Sequence, residues 1–183
     1  MNTRIDIARY PSPVCELILA STGGKLVHLD FEGNDDRLRT IQSRRFGKID
    51  WREGGTMPAS VFCWLDAYFS GEIQPLPMAD IEMIGTDFQK RVWQALITIP
   101  FGESRSYSGL AAALGHPAAV RAVARANALN PVSIIVPCHR VIGANGKLTG
   151  YAGGLERKRW LLAHEARMRR AETASFPARG LLL

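Results

Sequence analysis

The chain has 183 residues, 46% of them hydrophobic, which is enough for one large domain or two small ones with packed cores. No apolar run is long enough to span a bilayer, and the start Met1-Asn2-Thr3-Arg4-Ile5-Asp6 lacks a signal-peptide core, so no membrane partner is expected; the odd, scattered cysteines fit a reducing, cytoplasmic location. The net charge of +6 is unevenly placed: residues 1–85 hold 9 Lys/Arg against 12 Asp/Glu, while residues 86–183 hold 14 against 5, so the second half reads either as a basic solvated surface or as a polyanion-binding face.

Val14 to Leu19 and Lys25 to Phe31 are strand-like runs around Ser21-Thr22-Gly23-Gly24, a hairpin signal. Asp35 to Phe46 is charged and predicted helical. Pro58 to Phe69 is the clearer helix, with Val61, Phe62, Leu65 and Tyr68 or Phe69 on one face and Ser70-Gly71 as its stop. The apolar, Pro-punctuated stretch Pro75 to Ile84 is expected to form a last strand and a linker. From Thr86 the pattern turns helical. Thr86-Asp87-Phe88-Gln89 is a capping box, and Phe88, Val92, Leu96 and Ile97 form the predicted buried stripe before Pro100. Ser106 caps a short helix through Leu114, closed by Gly115, and Pro117 opens a second helix over Ala118 to Leu129. Two helices across a tight Gly turn, the second carrying Arg121 and Arg125, have the pattern of a helix-turn-helix. A last helix is predicted over Leu155 to Arg169, and Ala171 to Leu183 is an unassigned tail.

The three cysteines (Cys15, Cys63, Cys138) are odd in number and the four histidines (His28, His116, His139, His164) lack ligand spacing, so neither disulfides, a metal nor a cofactor is expected, and a reducing compartment fits. Chemistry concentrates at Pro137-Cys138-His139-Arg140, entered from Ile134-Ile135-Val136, which reads as a strand. A thiol of ordinary pKa is only a few per cent thiolate at neutral pH, so a working nucleophile needs a base, and a base needs an orienting carboxylate. Taken singly, Cys138 reads as a buried structural thiol, His139 as a core histidine and Glu165 as a surface charge.

The whole stretch Asn130-Pro131-Val132-Ser133-Ile134-Ile135-Val136-Pro137-Cys138-His139-Arg140-Val141-Ile142-Gly143 resembles the active-site segment of the O6-alkylguanine-DNA alkyltransferases. The likeness covers roughly residues 86 to 168. It includes Ile99-Pro100-Phe101-Gly102-Glu103, Arg121-Ala122-Val123, Gly150-Tyr151-Ala152-Gly153-Gly154 and Trp160-Leu161-Leu162-Ala163-His164-Glu165. The resemblance implies that Cys138 accepts an alkyl group irreversibly from a flipped base in double-stranded DNA, that His139 takes the thiol proton, and that Glu165 orients His139. By the same likeness Tyr107 lies by the base, Arg121 fills the hole left in the duplex, Asn130 braces the loop, and Arg125, Ala122 and Ala128 belong to the DNA-facing helix. Val141, Tyr151, Ala152 and Gly153 then form the base pocket. The implied fold is α/β followed by α. Residues 1–85 would form a ribonuclease-H-like domain with its linker, and residues 86–170 a helical, winged-helix-like domain acting as a monomer, with cooperative assembly on DNA left open. Relatives tend to carry glycine where this chain has Ala124 and Ala128, and the first half lacks the zinc ligands that some relatives carry. Three rivals remain: a lesion-flagging protein without an acceptor thiol, which an intact Cys138 disfavours; a helix-turn-helix regulator; and a Cys-His-Glu hydrolase.

Overall fold

The Gly23-Gly24 hairpin sits inside a four-stranded sheet in the computed structural model, which describes residues 2–175. Its strands are β1 (Thr3–Pro11), β2 (Glu16–Thr22), β3 (Lys25–Phe31) and β4 (Ile49–Glu53), ordered β3-β2-β1-β4. β2 pairs antiparallel with both β1 and β3, and β4 runs parallel to β1. Both loop glycines take positive φ (57° and 77°), the primed geometry whose twist matches the flanking strands. The sequence reading missed β1, whose alternating Ile5 and Ile7 lie among charged residues, and the short, charged β4.

The sheet is covered on both faces, which explains why β2 reads as an unbroken apolar run. One face sets Ile5, Ile7, Ile18, Ala20 and Val27 against Leu38 of helix α1 (Asp35–Phe46), the crossover between β3 and β4. The other sets Leu17, Leu19, Leu29 and Phe31 against helix α2 (Ala59–Ser70) and the second half of the chain. Gly71, in the left-handed region, ends α2. The expected strand within Pro75 to Ile84 is absent. A single 3-10 turn (Met78–Asp80) and one isolated parallel bridge between Ile81 and Leu26 stand in its place, because Pro75 and Pro77 have no N–H to give a ladder.

The second half contains α3 (Asp87–Ile97), α4 (Tyr107–Ala113), α5 (Val120–Ala128) and α6 (Leu155–Ser175), with β5 (Arg105–Ser106) paired parallel to β6 (Val141–Ile142). The capping box at Thr86 forms with both reciprocal bonds, and Ser106 accepts from the Gly109 N–H at 2.9 Å. The α3 stripe differs from expectation: Trp93 is fully buried beside Val92 and Leu96, while Phe88 and Ile97 sit at the margin. Trp93 donates its indole N–H to the Ala126 carbonyl of α5 at 2.9 Å, locking the two helices together. A 3-10 turn (Pro117–Ala119) precedes α5, and α6 runs past Arg169 to Ser175, taking in the start of the predicted tail. Pro177 and the three closing leucines lie outside the described residues.

The halves join at the free edge of β3. Leu29 donates to the Pro131 carbonyl and accepts from the Ser133 N–H, both at 2.8 Å, so the segment leading to Cys138 pairs with the sheet's exposed edge. Loss of the exposed cap at α3 provides a first check. Thr86→Ala should lower stability by about 1 kcal/mol in urea unfolding with an unchanged m-value.

Candidate active site

The run before Cys138 is not the expected strand. Residues 132–136 form an irregular buried turn, and Ile134 has φ 71°, the one positive φ on a non-glycine among the described residues. A β-branched residue there costs on the order of 1–3 kcal/mol and persists only where its surroundings over-determine it. Asn130 supplies much of that constraint. Its side chain donates to the carbonyls of Val136 (2.7 Å) and Val132 (3.4 Å) and accepts from the Val132 N–H (3.0 Å). The turn delivers the chain into a 3-10 segment, Cys138–Arg140, whose successive side chains splay about 120° apart. Neighbours in sequence therefore face different parts of the molecule.

His139 and Arg140 both meet Glu165 of α6. The carboxylate takes His139 Nε2 at 2.6 Å and Arg140 Nε and Nη2 at 2.8 and 2.9 Å. It also accepts from the Tyr68 hydroxyl at 3.1 Å and the Gly102 N–H at 3.3 Å. Arg140 Nη1 reaches the Ile99 carbonyl at 2.5 Å, so each of its three guanidinium nitrogens has an acceptor. Burial alone would raise the carboxyl pKa of Glu165. A protonated His139 and then Arg140 outweigh it and hold the group at about 2, and with the imidazole neutral the permanently charged Arg140 still favours the carboxylate. Burial, opposed by Glu165, pushes His139 below its usual value, and burial raises the Cys138 thiol despite the hydrogen bond from Asn130 and the charges of Arg37 and Lys158. The resting pair is therefore a neutral thiol and a neutral imidazole.

Cys138 walls a small cavity of about 10 Å³ with Arg37, Asn127, Ser133, Tyr151 and Ala152, too little for more than a single water. Among the described residues, buried polar atoms lacking a partner include Asn127 Oδ1 and the Tyr151 hydroxyl, both on residues that line this cavity, and His139 Nδ1 on the ring that Glu165 holds. Gly150 and Ala128 complete the wall. Tyr107 donates to the Gly150 carbonyl at 3.3 Å, and burial, then the nearby Cys138, raises its phenol. Val141 and Gly153 do not line this cavity. The Val141 carbonyl accepts from Lys158 Nζ at 2.6 Å, and a Cβ on Gly153 would come within 2.5 Å of the Phe31 ring, so its lack of a side chain serves packing.

Arg121, Ala122, Arg125 and Ala128 are all exposed on one side of α5, Ala124 is half-buried, and Val123, Ala126 and Asn127 face inward. Sequence reasoning missed the contributions of the first half. Asp30 accepts from Arg37 and from Asn34 (2.9 Å). Arg37 in turn donates to the carbonyls of Ala128 (2.7 Å) and Asn130 (3.0 Å), and Asn34 to that of Ala152 (3.3 Å). Both rims of the cavity are thus held from α1 and its cap. Tyr68, Arg140, Asn127 and Lys158 were also passed over. Only the adjacency of Arg140 to His139 was available as a signal, because the others are distant in sequence. Among the described residues no three His, Cys, Asp or Glu side chains group so as to hold a metal ion.

The depressed Glu165 carboxyl sets an acid limit. It stabilises the fold fully above its ordinary value of 4.5, and that contribution drains away as pH falls toward about 2, amounting to on the order of 3 kcal/mol. Urea unfolding from pH 5 to pH 2 should show this loss in the native chain and a correspondingly shallower one in Glu165→Gln.

A family model described as 6-O-methylguanine DNA methyltransferase, DNA binding domain, matches residues 87–167. A second, described as the ribonuclease-like domain of the same methyltransferase, matches residues 7–78. A methylated-DNA–protein-cysteine methyltransferase of Mycobacterium leprae is 47% identical over 154 residues, 84% of this chain and 88% of the relative. The crystal structure of the Mycobacterium tuberculosis O6-methylguanine methyltransferase superposes with a TM-score of 0.79 at 42% identity, covering 94% of this chain and 99% of that one. The structure of that organism's OGT in complex with DNA superposes at 0.74 and 42% identity, covering 90% and 94%. The two halves, a sheet-containing domain and a helical DNA-binding domain, match in chain order and over nearly their whole length, and the chain belongs to the 6-O-methylguanine DNA methyltransferase family.

Proposed function

We propose that the protein repairs alkylated double-stranded DNA by direct reversal, moving the alkyl group of O6-alkylguanine, and also that of O4-alkylthymine, onto its own Cys138. The observation that carries this reading is the joint arrangement at residues 138–140. A cysteine walls a polar cavity beside the exposed face of α5, and the adjacent histidine is held by a buried carboxylate with its second ring nitrogen unpartnered.

In the proposed reaction the sulfur of Cys138 bonds to the alkyl carbon as the carbon–O6 bond breaks. The thiol proton passes to His139 Nδ1, the nitrogen that Glu165 leaves free, directly or through a water. Tyr107 donates a proton to the departing guanine. Glu165 stabilises the imidazolium that forms, so the charge needed for nucleophilicity develops only during the reaction. Nothing in the site reopens the product thioether, and each molecule acts once.

The target carbon is inaccessible in a stacked duplex, so the base must swing out at a cost of a few kcal/mol. Arg121 is proposed to fill the gap, and Arg125 with Ala122 and Ala128 to lie along the minor groove. The small residues on that face support close approach of the helix to DNA. Tyr151 and Ala152 are proposed to cover the base, with the Ala152 N–H donating to O6 and the carbonyls of Cys138 and Val141 receiving the exocyclic amine. Since the cavity holds about 10 Å³, the rim carrying Gly150, Tyr151 and Ala152 must move outward to admit a purine. The finer architecture proposed is a ribonuclease-H-like domain over 1–85 and a winged-helix-like domain over 86–170. The proposed setting is cytoplasmic, as a monomer in solution. Among the described residues no helix is long and apolar enough to cross a membrane.

Peptide mass mapping after mixing with an O6-methylguanine duplex should place one methyl group per molecule on Cys138, with none transferred by Cys138→Ser, whose duplex affinity stays within about twofold because phosphate contacts reside elsewhere. Methyl on Cys15 or Cys63, or repeated turnover, would overturn the assignment and favour a hydrolase. Arg121→Ala should slow repair of duplex DNA at least tenfold more than reaction with free O6-benzylguanine, since only the duplex leaves a gap. Equal losses on both substrates would give Arg121 a purely structural role.

A further inference from the structure

Helix α1 ends in two arginines that no carboxylate neutralises. Arg44 is exposed and Arg45 half-buried, and among the described residues neither forms an ion pair. Arg45 lies over the Trp93 ring at 5.7 Å, and its Nη1 is buried with no hydrogen-bond partner. Burial, then the like charge of Arg37, lowers its pKa to about 10, so the group stays charged at neutral pH in a place that disfavours charge. Packing on an indole and the negative end of α1 offset part of that cost. Neither supplies the acceptors that a guanidinium fork requires.

The two arginines open onto a cavity of about 350 Å³, bounded on its other sides by Ile41, Gly85, Gln89 and Leu129. Gly85 is obligatory there, because a Cβ would lie 2.6 Å from the Trp93 ring. Asp87, the acid in the first turn of α3, does not line this cavity. Thr86, Gln89 and Leu129 are shared with a second cavity of about 230 Å³ whose far wall is Ala122 and Arg125 of α5. The two cavities adjoin across these three residues, with Arg125 lining one and Arg44 and Arg45 lining the other.

We propose that Arg44 and Arg45 form an anion site for a phosphodiester of the DNA backbone, so that the N-terminal domain grips the same duplex that α5 enters. The proposal rests on the reading of α5 as the DNA-binding helix. The planar, weakly hydrated guanidinium suits phosphate oxygens, and a third arginine, Arg125, lining the adjoining cavity favours a polymer with several phosphates over an isolated ion. Such a contact carries no sequence information and fixes the register of the protein along the backbone.

The test is the salt dependence of binding to an unmodified duplex of about 16 base pairs, with Arg44→Gln, Arg45→Gln and Arg45→Lys beside the native chain. Each neutralised contact should weaken binding about fivefold at 0.15 M salt and reduce the slope of log K against log salt by about 0.9. Arg45→Lys should retain the native slope while losing melting temperature, since it keeps the charge and gives up the stacking. Should Arg45→Gln fail to fold, exposed Arg44→Gln still decides the matter. Native-like slopes in both glutamine variants, with or without a lower melting temperature, would make the arginines structural and overturn the proposal. Stabilisation of the native chain by inorganic phosphate with those slopes unchanged would mean a free-anion site, and would overturn it too. If the native chain itself shows no salt-dependent duplex binding, the reading of α5 fails first.

Discussion

One buried carboxylate organises the active region. Glu165 gathers hydrogen bonds from α2, from the loop after α3 and from the segment carrying Cys138, so parts of the chain nearly a hundred residues apart converge on two oxygens. Burying an ion is costly, and a well-packed apolar replacement can match a buried ion pair for stability. Its value here lies in direction. Arg140 engages through two nitrogens, which fixes the carboxylate plane, and the carboxylate then leaves His139 one orientation and one free nitrogen. Removing either partner would strand the other without water, so the network holds as a unit.

The first half of the chain reaches the site through its backbone and its polar side chains. The edge of β3 captures residues 131–133, and Asp30, through Arg37 and Asn34, holds carbonyls on both rims of the cavity. A strained Ile134 and a nearly closed cavity can coexist only inside so constrained a frame. The same frame links chemistry to the wider surface, because Trp93 ties α3 to α5 and carries Arg45 of α1 on its ring.

The electrostatic state at rest is mild. Burial keeps the thiol protonated and the imidazole neutral, a state in which the sulfur is little reactive toward stray electrophiles and oxidants. Asn130, Arg37 and Lys158 partly counter that rise. On the proposed function, the unpartnered atoms of Asn127 and Tyr151 beside Cys138 would serve the substrate, and their desolvated state would give each hydrogen bond formed in the reaction more weight than it has in water.

Much was legible in the sequence where the cause is local. The Gly23-Gly24 turn, the capping box at Thr86, the Ser106 cap, the Gly71 stop and the bounds of α1 follow from backbone preferences of a few adjacent residues, and the structure reproduces them. The candidate site residues are grouped by a long motif, and the family is shown by matches along both halves. Tertiary structure alone decided the rest. Ile134-Ile135-Val136 has the composition of a strand but bends into a turn, because the β3 edge pairs with Pro131 and Ser133 just before it and Asn130 takes the Val136 carbonyl at its end. Residues 75–84 look like a strand but add only a single bridge, because two prolines interrupt the ladder. The helical spacing on α5 left its rotation open until Trp93 fixed it, turning Arg121, Ala122, Arg125 and Ala128 outward. Asp30, Arg37, Asn34 and Tyr68 gave no signal in the sequence, since a polar side chain on one half acquires a task only when folding brings the other half within hydrogen-bond reach.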